Sequence, residues 1–241
     1  MSRTLKALVL AGAVIAAAQP AARASGLVVV ELFTSQGCSS CPPADALLTE
    51  LAGRDGVLAL SMHVDYWDYV GWKDPFASAA ATERQRGYTR HFGLGYVYTP
   101  QMVIQGRRQM TGSDRRGVLE AIDREAALPR LTVEIAGDAG DAAAVLPARD
   151  GAPASTLWAV AFDYAHTTRI ERGENEGRTL AYSNVVRDIR RVGAWRGEAA
   201  RVPLPMDEMA PGRDAVAVLV QADAGGAILG GAVLGLSAPK R

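Results

Sequence analysis

The sequence has no excess of positive or negative charge and no long apolar run, and it contains only two cysteines. Its 26 lysines and arginines balance its 26 aspartates and glutamates, and neither half of the chain is basic. The electrostatic footprint of a nucleic-acid-binding protein is therefore missing. No apolar run reaches the roughly 20 residues that a membrane-spanning helix requires. We therefore expect no nucleic acid among the partners and no membrane span.

Residues 1–24 are typical of a secretory signal peptide. The basic residues Arg3 and Lys6 precede an apolar run at 7–18, and Ala22-Arg23-Ala24 has the small-x-small pattern of a cleavage site. We expect cleavage after Ala24 and a periplasmic or secreted location. Because no cysteine lies near this site, we expect no lipid anchor.

The two cysteines, Cys38 and Cys41, stand in a C-x-x-C spacing between a predicted strand and a predicted helix. Residues 27–33 are apolar and rich in β-branched side chains, which favours a strand buried on both faces. Apolar positions recur at helical spacing over 44–53. Since a residue before proline avoids the α region, we expect regular helix only from Pro43, one turn after Cys38. Unpaired N–H groups at a helix start stabilise the reactive thiolate.

A plain structural disulfide is the alternative interpretation of this pair. Disulfides persist in the oxidising compartments to which a signal peptide directs a protein. A bridge between residues three apart, however, constrains the unfolded chain little, because longer closed loops gain more. The spacing therefore favours a redox function and leaves the structural bridge open.

The remaining elements up to residue 128 follow in a regular order. After the first strand and helix, we predict a buried strand, a loop dense in aromatic and acidic residues, a helix, two short strands that turn at Gly106, and a helix capped by Ser113. The order is strand, helix, strand, helix, strand, strand, helix. The predicted segments are 57–64, 65–76, 77–92, 101–106, 107–111 and 117–128.

This order, with C-x-x-C after the first strand, resembles the thioredoxin fold over residues 27–128. The segment 98–106, which contains Thr99-Pro100, looks like a second thioredoxin signature, in which the family holds the proline in cis. The chain is most similar to secreted bacterial proteins with a thioredoxin-like domain of unknown function. It shares with them ELFTSQGCSSCPPAD, the HVDYWDY loop and a later RGENEGRTL segment.

The resemblance implies roles for individual residues. Cys38 would be the exposed attacking thiol and Cys41 the buried resolving thiol. Pro100, preceded by Thr99, would present its backbone beside the dithiol. Glu31 stands near the place of the buried acid that accepts the second thiol's proton. One extra residue before Cys38 turns Glu31 to the other face of a regular strand, unless a bulge absorbs it.

From Leu131 onward the sequence changes to short β-rich segments broken by glycine, aspartate and proline. Such spacing is typical of an antiparallel sandwich, and 223–226 looks like a hairpin turn. Residues 181–195 fit a strand or a helix, and we favour a strand. The predicted fold class is an α/β thioredoxin-like domain with a central mixed sheet at 25–129, followed by a β-rich, sandwich-like domain at 130–241.

Three further groups of polar residues have two interpretations each. His63 precedes the acidic and aromatic residues 65–68 and is either a core histidine or, with Cys38 and Cys41, a ligand of Cu(I). His91 and His166 belong to no metal pattern, and His91 falls at a helix end. Polar residues of the second half form either a solvated surface or a partner-binding or interdomain face. These are Arg172, Glu174, Asn175, Glu176, Arg178, Arg187, Arg190 and Arg191.

Together these observations predict a periplasmic or secreted thiol-disulfide oxidoreductase that acts through Cys38 and Cys41. Its partners would be protein or small-molecule thiols, including an exported redox partner. It would need no cofactor besides its own disulfide. The alternative is a non-enzymatic binding protein on the same scaffold, with a structural disulfide or with copper held by Cys38, Cys41 and His63.

Overall fold

The computed structural model describes residues 26–223 and 226–237, which form a mixed α/β fold around a central mixed sheet. The predicted signal peptide lies outside these residues, and so do 224 and 225 of the predicted turn at 223–226. The strands are β1 Val28–Thr34, β2 Val57–His63, β3 Gln101–Ile104, β4 Arg108–Thr111, β5 Glu134–Ala136, β6 Ala143–Leu146, β7 Ser155–Arg169, β8 Thr179–Trp195, β9 Ala200–Pro203, β10 Ala215–Ala222 and β11 Ile228–Gly235. The helices are α1 Pro42–Ala52, α2 Ala79–His91, α3 Arg115–Ala126 and α4 Met206–Met209.

The first seven elements confirm the predicted order. Strand β1 lies between the parallel strand β2 and the antiparallel strand β3, and it is buried at every position, as its sequence predicts. Alternate side chains of β1 enter different apolar clusters. Leu32 packs with α1 and α3, whereas Phe33 packs with Tyr88 of α2 on the opposite face. The end of β1 therefore has a helix layer on each side.

The second half of the chain continues the same sheet. The strand order is β11-β10-β7-β8-β2-β1-β3-β4, so β8 lies directly beside β2, in parallel, at Ser61 and Val185. Strands β7 and β8 form a long antiparallel hairpin that extends the sheet beyond β2. The boundary predicted between 129 and 130 falls in the connection from α3 to β5, but the segments on either side share one sheet.

A second sheet covers one face of this extension. Its strand order is β5-β6-β9, and its apolar side chains meet those of β7, β10 and β11 in one cluster that includes Ile135, Ala144, Leu157, Val218 and Ala232. Two packed antiparallel layers are what the β-rich segments predict. The ambiguous segment 181–195 is a strand, part of β8.

The structure corrects two local predictions near helix starts. Helix α1 begins at Pro42 rather than Pro43, with Cys41 at its N-cap position. Helix α3 is capped by Asp114, not by Ser113, because the Asp114 side chain accepts a hydrogen bond from the Gly117 N–H at 3.1 Å. Within the described ranges, no helix is long and apolar enough to cross a membrane.

Candidate functional site

Cys38 and Cys41 form a disulfide at the junction of β1 and α1. The backbone turns tightly here, since the Cys41 N–H donates to the Cys38 carbonyl at 3.2 Å. The hydroxyl of Ser40, an exposed residue, lies 3.4 Å from the Cys38 sulfur. Cys38 is therefore the cysteine with a polar neighbour toward the surface.

Cys38 is nevertheless fully buried, and the prediction that it is exposed was wrong. Two loops from elsewhere in the chain cover it. A Cβ atom on Gly37 would come within 2.9 Å of Val70, so the loop after β2 packs directly on the cysteine turn. From the other side, the Asn175 side-chain amide donates to the carbonyls of Gln36 at 2.9 Å and of Cys38 at 3.0 Å. Nothing local to the C-x-x-C sequence encodes this cover.

The Thr99-Pro100 peptide bond is cis, as the resemblance implies. The Pro100 carbonyl accepts from the Gly112 N–H at 2.9 Å, and a Cβ on Gly112 would lie 2.9 Å from Ala44 and 3.1 Å from Pro100. Pro100 is thus next to the first turn of α1, where the disulfide sits. Trp67 also connects the Thr99-Pro100 segment with the cysteine turn. Its indole N–H donates to the Thr99 hydroxyl at 2.7 Å, and its backbone lies against Gly37.

Glu31 is buried on the face of β1 that packs against α2, not on the face that carries α1. Its carboxylate accepts hydrogen bonds from Arg84 Nε at 2.5 Å and from the Tyr88 hydroxyl at 2.5 Å. The predicted proton acceptor is therefore misplaced, because no bulge corrects the one-residue shift in β1. Arg84 and Tyr88 also line a cavity of about 430 Å³ beneath β7, β8 and β10, and neither cysteine lines it.

Asp45 is the buried acid that does accompany the cysteines. It follows Cys41 by one helical turn, on the same face of α1, and its side chain leans back toward the helix start. Its carboxylate accepts a hydrogen bond from the Thr34 hydroxyl at 2.8 Å. Burial raises the pKa of Asp45 from 3.8 to about 7, against the lowering influence of His63 and Thr34. Near neutral pH this carboxyl can therefore give or take a proton.

A histidine–aspartate pair lies beside Asp45 on the same face of the sheet. His63 Nδ1 is 2.7 Å from Asp74 Oδ2, and the same oxygen accepts from the Gln36 N–H at 2.8 Å. Burial would raise the pKa of Asp74, but His63 and these hydrogen bonds hold it below its usual value. The pair thus ties the end of β2 and the loop that follows it to the turn that holds Cys38.

Three buried polar atoms in this region make no hydrogen bond within the protein. They are His63 Nε2, the Ser61 hydroxyl and the Tyr182 hydroxyl. Ser61 and His63 are two residues apart on β2, so their side chains share the face that α1 covers. The Tyr182 ring contacts the His63 ring, with 4.9 Å between the ring centroids. Buried polar atoms of this kind are usually satisfied by ordered water. The layer beneath α1 is therefore polar next to the disulfide and apolar further along the helix.

The copper alternative finds no assembled ligand set in the described part of the chain. No group of three or more histidine, cysteine, aspartate or glutamate side chains there could hold a metal ion. His63 turns Nδ1 toward Asp74 and is fully buried, which agrees with the interpretation as a core histidine. Copper binding by Cys38, Cys41 and His63 stays an untested prediction.

The polar segment 171–178, at the tip of the β7–β8 hairpin, is an internal interface rather than only a solvated surface. Besides Asn175, Glu174 contacts the cysteine turn by accepting the Ser39 N–H at 3.1 Å. Arg178 braces the tip by donating to Asn175 Oδ1 at 2.8 Å. This geometry agrees with the predicted interdomain face.

The other polar residues singled out in the sequence lie away from the disulfide. Arg187 stacks over the Phe76 ring at 5.0 Å, Arg190 pairs with Asp188 and Glu208, and Arg191 is exposed. His91 ends α2, and His166 pairs with Asp163 at 2.8 Å. Arg172 and Glu176 are exposed in the tip.

Sequence reasoning missed Asp45 and Asp74 and did not connect Asn175 with the cysteines. A signal for Asp45 was present, since it interrupts the apolar face of α1 one turn after Cys41. Asp74 and Asn175 give no comparable signal, because both reach the turn from distant parts of the chain.

The family model described as "Protein of unknown function (DUF1223)" matches residues 29–221. A crystal structure of an Agrobacterium tumefaciens protein is 35% identical, with a TM-score of 0.76, over 90% of this chain and 97% of that one. HBP35 of Porphyromonas gingivalis is 12% identical, with a TM-score of 0.57, over 89% of this chain and 77% of that one, a likeness of fold alone. No curated protein matches the sequence.

Proposed function

The chain belongs to the DUF1223 family, and from that premise we propose that it is a thiol-disulfide oxidoreductase acting through Cys38 and Cys41. We further propose that residues 25–129 form a thioredoxin-like domain and that the protein works in the periplasm or after secretion. One observation carries the proposal. The disulfide joins a strand end to a helix start, beside a cis Thr99-Pro100 bond and a buried acid that titrates near neutral pH.

The helix start supports the release of Cys41 as a thiolate. Cys41 is the N-cap residue of α1, where unpaired N–H groups and the helix dipole stabilise negative charge. Cys38 lies one turn upstream and is the sulfur with the Ser40 hydroxyl beside it. A hydroxyl in this position can donate to a thiolate when the disulfide opens. These placements favour attack on Cys38 and departure of Cys41.

The exchange then proceeds in two balanced steps. A partner thiolate attacks the Cys38 sulfur, a new disulfide forms to Cys38, and the electron pair of the broken bond leaves on Cys41. Asp45, when protonated, supplies the proton that Cys41 takes up. A second partner thiolate attacks the partner sulfur, which releases a partner disulfide and leaves Cys38 reduced. The reverse sequence reduces a partner disulfide, and Asp45 then accepts the proton of Cys41.

The equilibrium reduction potential of the pair in glutathione buffers tests this proposal. We expect a value near or above about −230 mV, in the range of catalytic pairs. A value below about −300 mV would place the pair among structural bridges and contradict the proposal. The matched control is Ser39→Ala, at the other serine between the cysteines. Ser39 is exposed and its side chain hydrogen-bonds to the Glu174 carboxylate, so the potential should hardly change.

Complete burial of both sulfurs favours a second candidate function. In a non-enzymatic binding protein, the disulfide would hold the turn between β1 and α1 while other surfaces bind the partner. Such a protein would keep its cysteines oxidised in cells under all growth conditions. Detection of the reduced form by rapid alkylation of intact cells would exclude this alternative.

A further inference from the structure

The tip of the β7–β8 hairpin, residues 170–178, contacts the main chain of the cysteine turn through three hydrogen bonds. Asn175 Nδ2 donates to the carbonyls of Gln36 and Cys38, and Glu174 accepts from the Ser39 N–H. All three contacts go to backbone atoms of residues 36–39, the turn that contains the reactive sulfur. Asn175 is 1% exposed, so the cover is closed at this point.

These contacts have the chemistry of a polypeptide main chain. The tip offers an amide N–H group to two carbonyls and an oxygen to one N–H group, which are the donors and acceptors that a peptide backbone carries. A chain laid along 36–39 could make the same bonds in place of the tip. A small thiol without an amide could not make these bonds, so it would leave the buried carbonyls of Gln36 and Cys38 unpaired.

The position of the tip suits displacement. The last paired residues of the hairpin are Arg169 and Thr179, so the tip stands beyond the sheet. It is braced within itself, because the Ile170 N–H donates to the Arg178 carbonyl at 2.8 Å and the Gly177 N–H to the Ile170 carbonyl at 2.9 Å. Its displacement would leave the β7–β8 ladder intact, and would separate Gly173 from Val70 and Trp72 and uncover the buried Ile170.

We propose that the hairpin tip occupies the docking site of a polypeptide partner, so that a peptide thiol reaches Cys38 by replacing the tip's hydrogen bonds with its own. This inference rests on the proposed function and names its substrate class. Attack follows displacement, since Cys38 is fully buried while the tip is bonded to its turn. The bond changes are those of ordinary exchange, in which the peptide sulfur joins Cys38 and Cys41 leaves with the electron pair.

The test compares two thiols on the oxidised protein, with rates expressed per thiolate. One is a short acetylated peptide with a single central cysteine, and the other is 2-mercaptoethanol. For the wild type we expect the peptide to react about tenfold faster, because it replaces the bonds that the tip gives up. In Asn175→Ala the rate with 2-mercaptoethanol should rise about tenfold, and the preference for the peptide should shrink accordingly.

Two further variants protect the test against trivial explanations. Asn175→Asp keeps the size of the side chain and the oxygen that Arg178 contacts, but removes the N–H donors, so it should behave like Asn175→Ala. Glu176→Ala changes an exposed side chain of the same tip and should react like the wild type.

The outcomes separate this inference from the proposed function. Exchange at the same rate and with the same thiol preference in the wild type and both Asn175 variants would overturn the inference alone. Acceleration in Glu176→Ala equal to that in the Asn175 variants would also overturn it, since the cause would then be general loosening of the tip. Absence of exchange in every variant would overturn the proposed function and the inference with it.

Discussion

Replacing Cys41 with serine is expected to trap the protein as a mixed disulfide with its partner, whereas replacing Cys38 with serine should abolish exchange. In Cys41→Ser the thiol of Cys38 can still join a partner sulfur, but no second thiol is present to release it. Cys38→Ser lacks the sulfur that attacks a partner disulfide and that a partner thiolate attacks in the reverse direction. We therefore expect the rate of insulin reduction to fall at least about a thousandfold.

Trapped adducts are measured on non-reducing gels of extracts from cells that express each variant. Adducts should be abundant for Cys41→Ser, scarce for the wild type and absent for Cys38→Ser. Ser39→Ala, which leaves both cysteines in place, is the control for changes to the turn itself. If neither cysteine variant differs from the wild type in adducts or in insulin reduction, the proposed function is wrong.

The second large effect concerns Asp45 and the pH dependence of stability. The pKa of its carboxyl is about 7 in the folded protein against 3.8 for the ordinary group, so between these values the folded state holds a proton that the unfolded state has lost. The free energy of unfolding therefore falls as the pH rises through this window. At higher pH the wild type carries a buried carboxylate whose ionisation costs about 4 kcal/mol.

Asp45→Asn should remove this fall. The amide oxygen can still accept from Thr34, and there is no proton to lose. Relative to the wild type, the variant should gain up to about 4 kcal/mol in free energy of unfolding between about pH 4 and about pH 8. Denaturant unfolding of the oxidised protein across this range measures the difference.

The matched control is Asp123→Asn, the same change at an exposed acid that pairs with Arg54 on the surface. Its stability relative to the wild type should vary by less than about 1 kcal/mol over the same range. A difference between Asp45→Asn and the wild type that does not vary with pH would show that Asp45 stays ionised, and its proton role would be refuted.

Local sequence patterns were sufficient to predict the elements around the site. The apolar run before the cysteines predicted β1, the helical spacing after them predicted α1, and Gly106 marked the turn between β3 and β4. The cis bond before Pro100 followed from resemblance to a known motif. Each of these features depends on residues close together in the chain.

The features that the sequence did not reveal depend on contacts across the chain. Cys38 is buried because two distant segments pack on its turn, the loop that carries Val70 and the hairpin tip that carries Asn175, 137 residues from Cys38. Glu31 faces α2 rather than the cysteines, because β1 runs without a bulge and its alternation decides which face the acid meets. The shared sheet arises where Ser61 of β2 meets Val185 of β8, and neither strand's own pattern specifies that neighbour.

Exchange in the native state tests the central claim most directly. The oxidised protein is incubated with millimolar glutathione at neutral pH without denaturant, quenched with a maleimide and examined by mass spectrometry, with a guanidinium-unfolded sample as the reference. We predict that both cysteines take up maleimide in the native sample and that the first glutathione adduct forms on Cys38. Uptake only in the unfolded sample would show that the Cys38–Cys41 disulfide is a structural bridge, and the account would be contradicted.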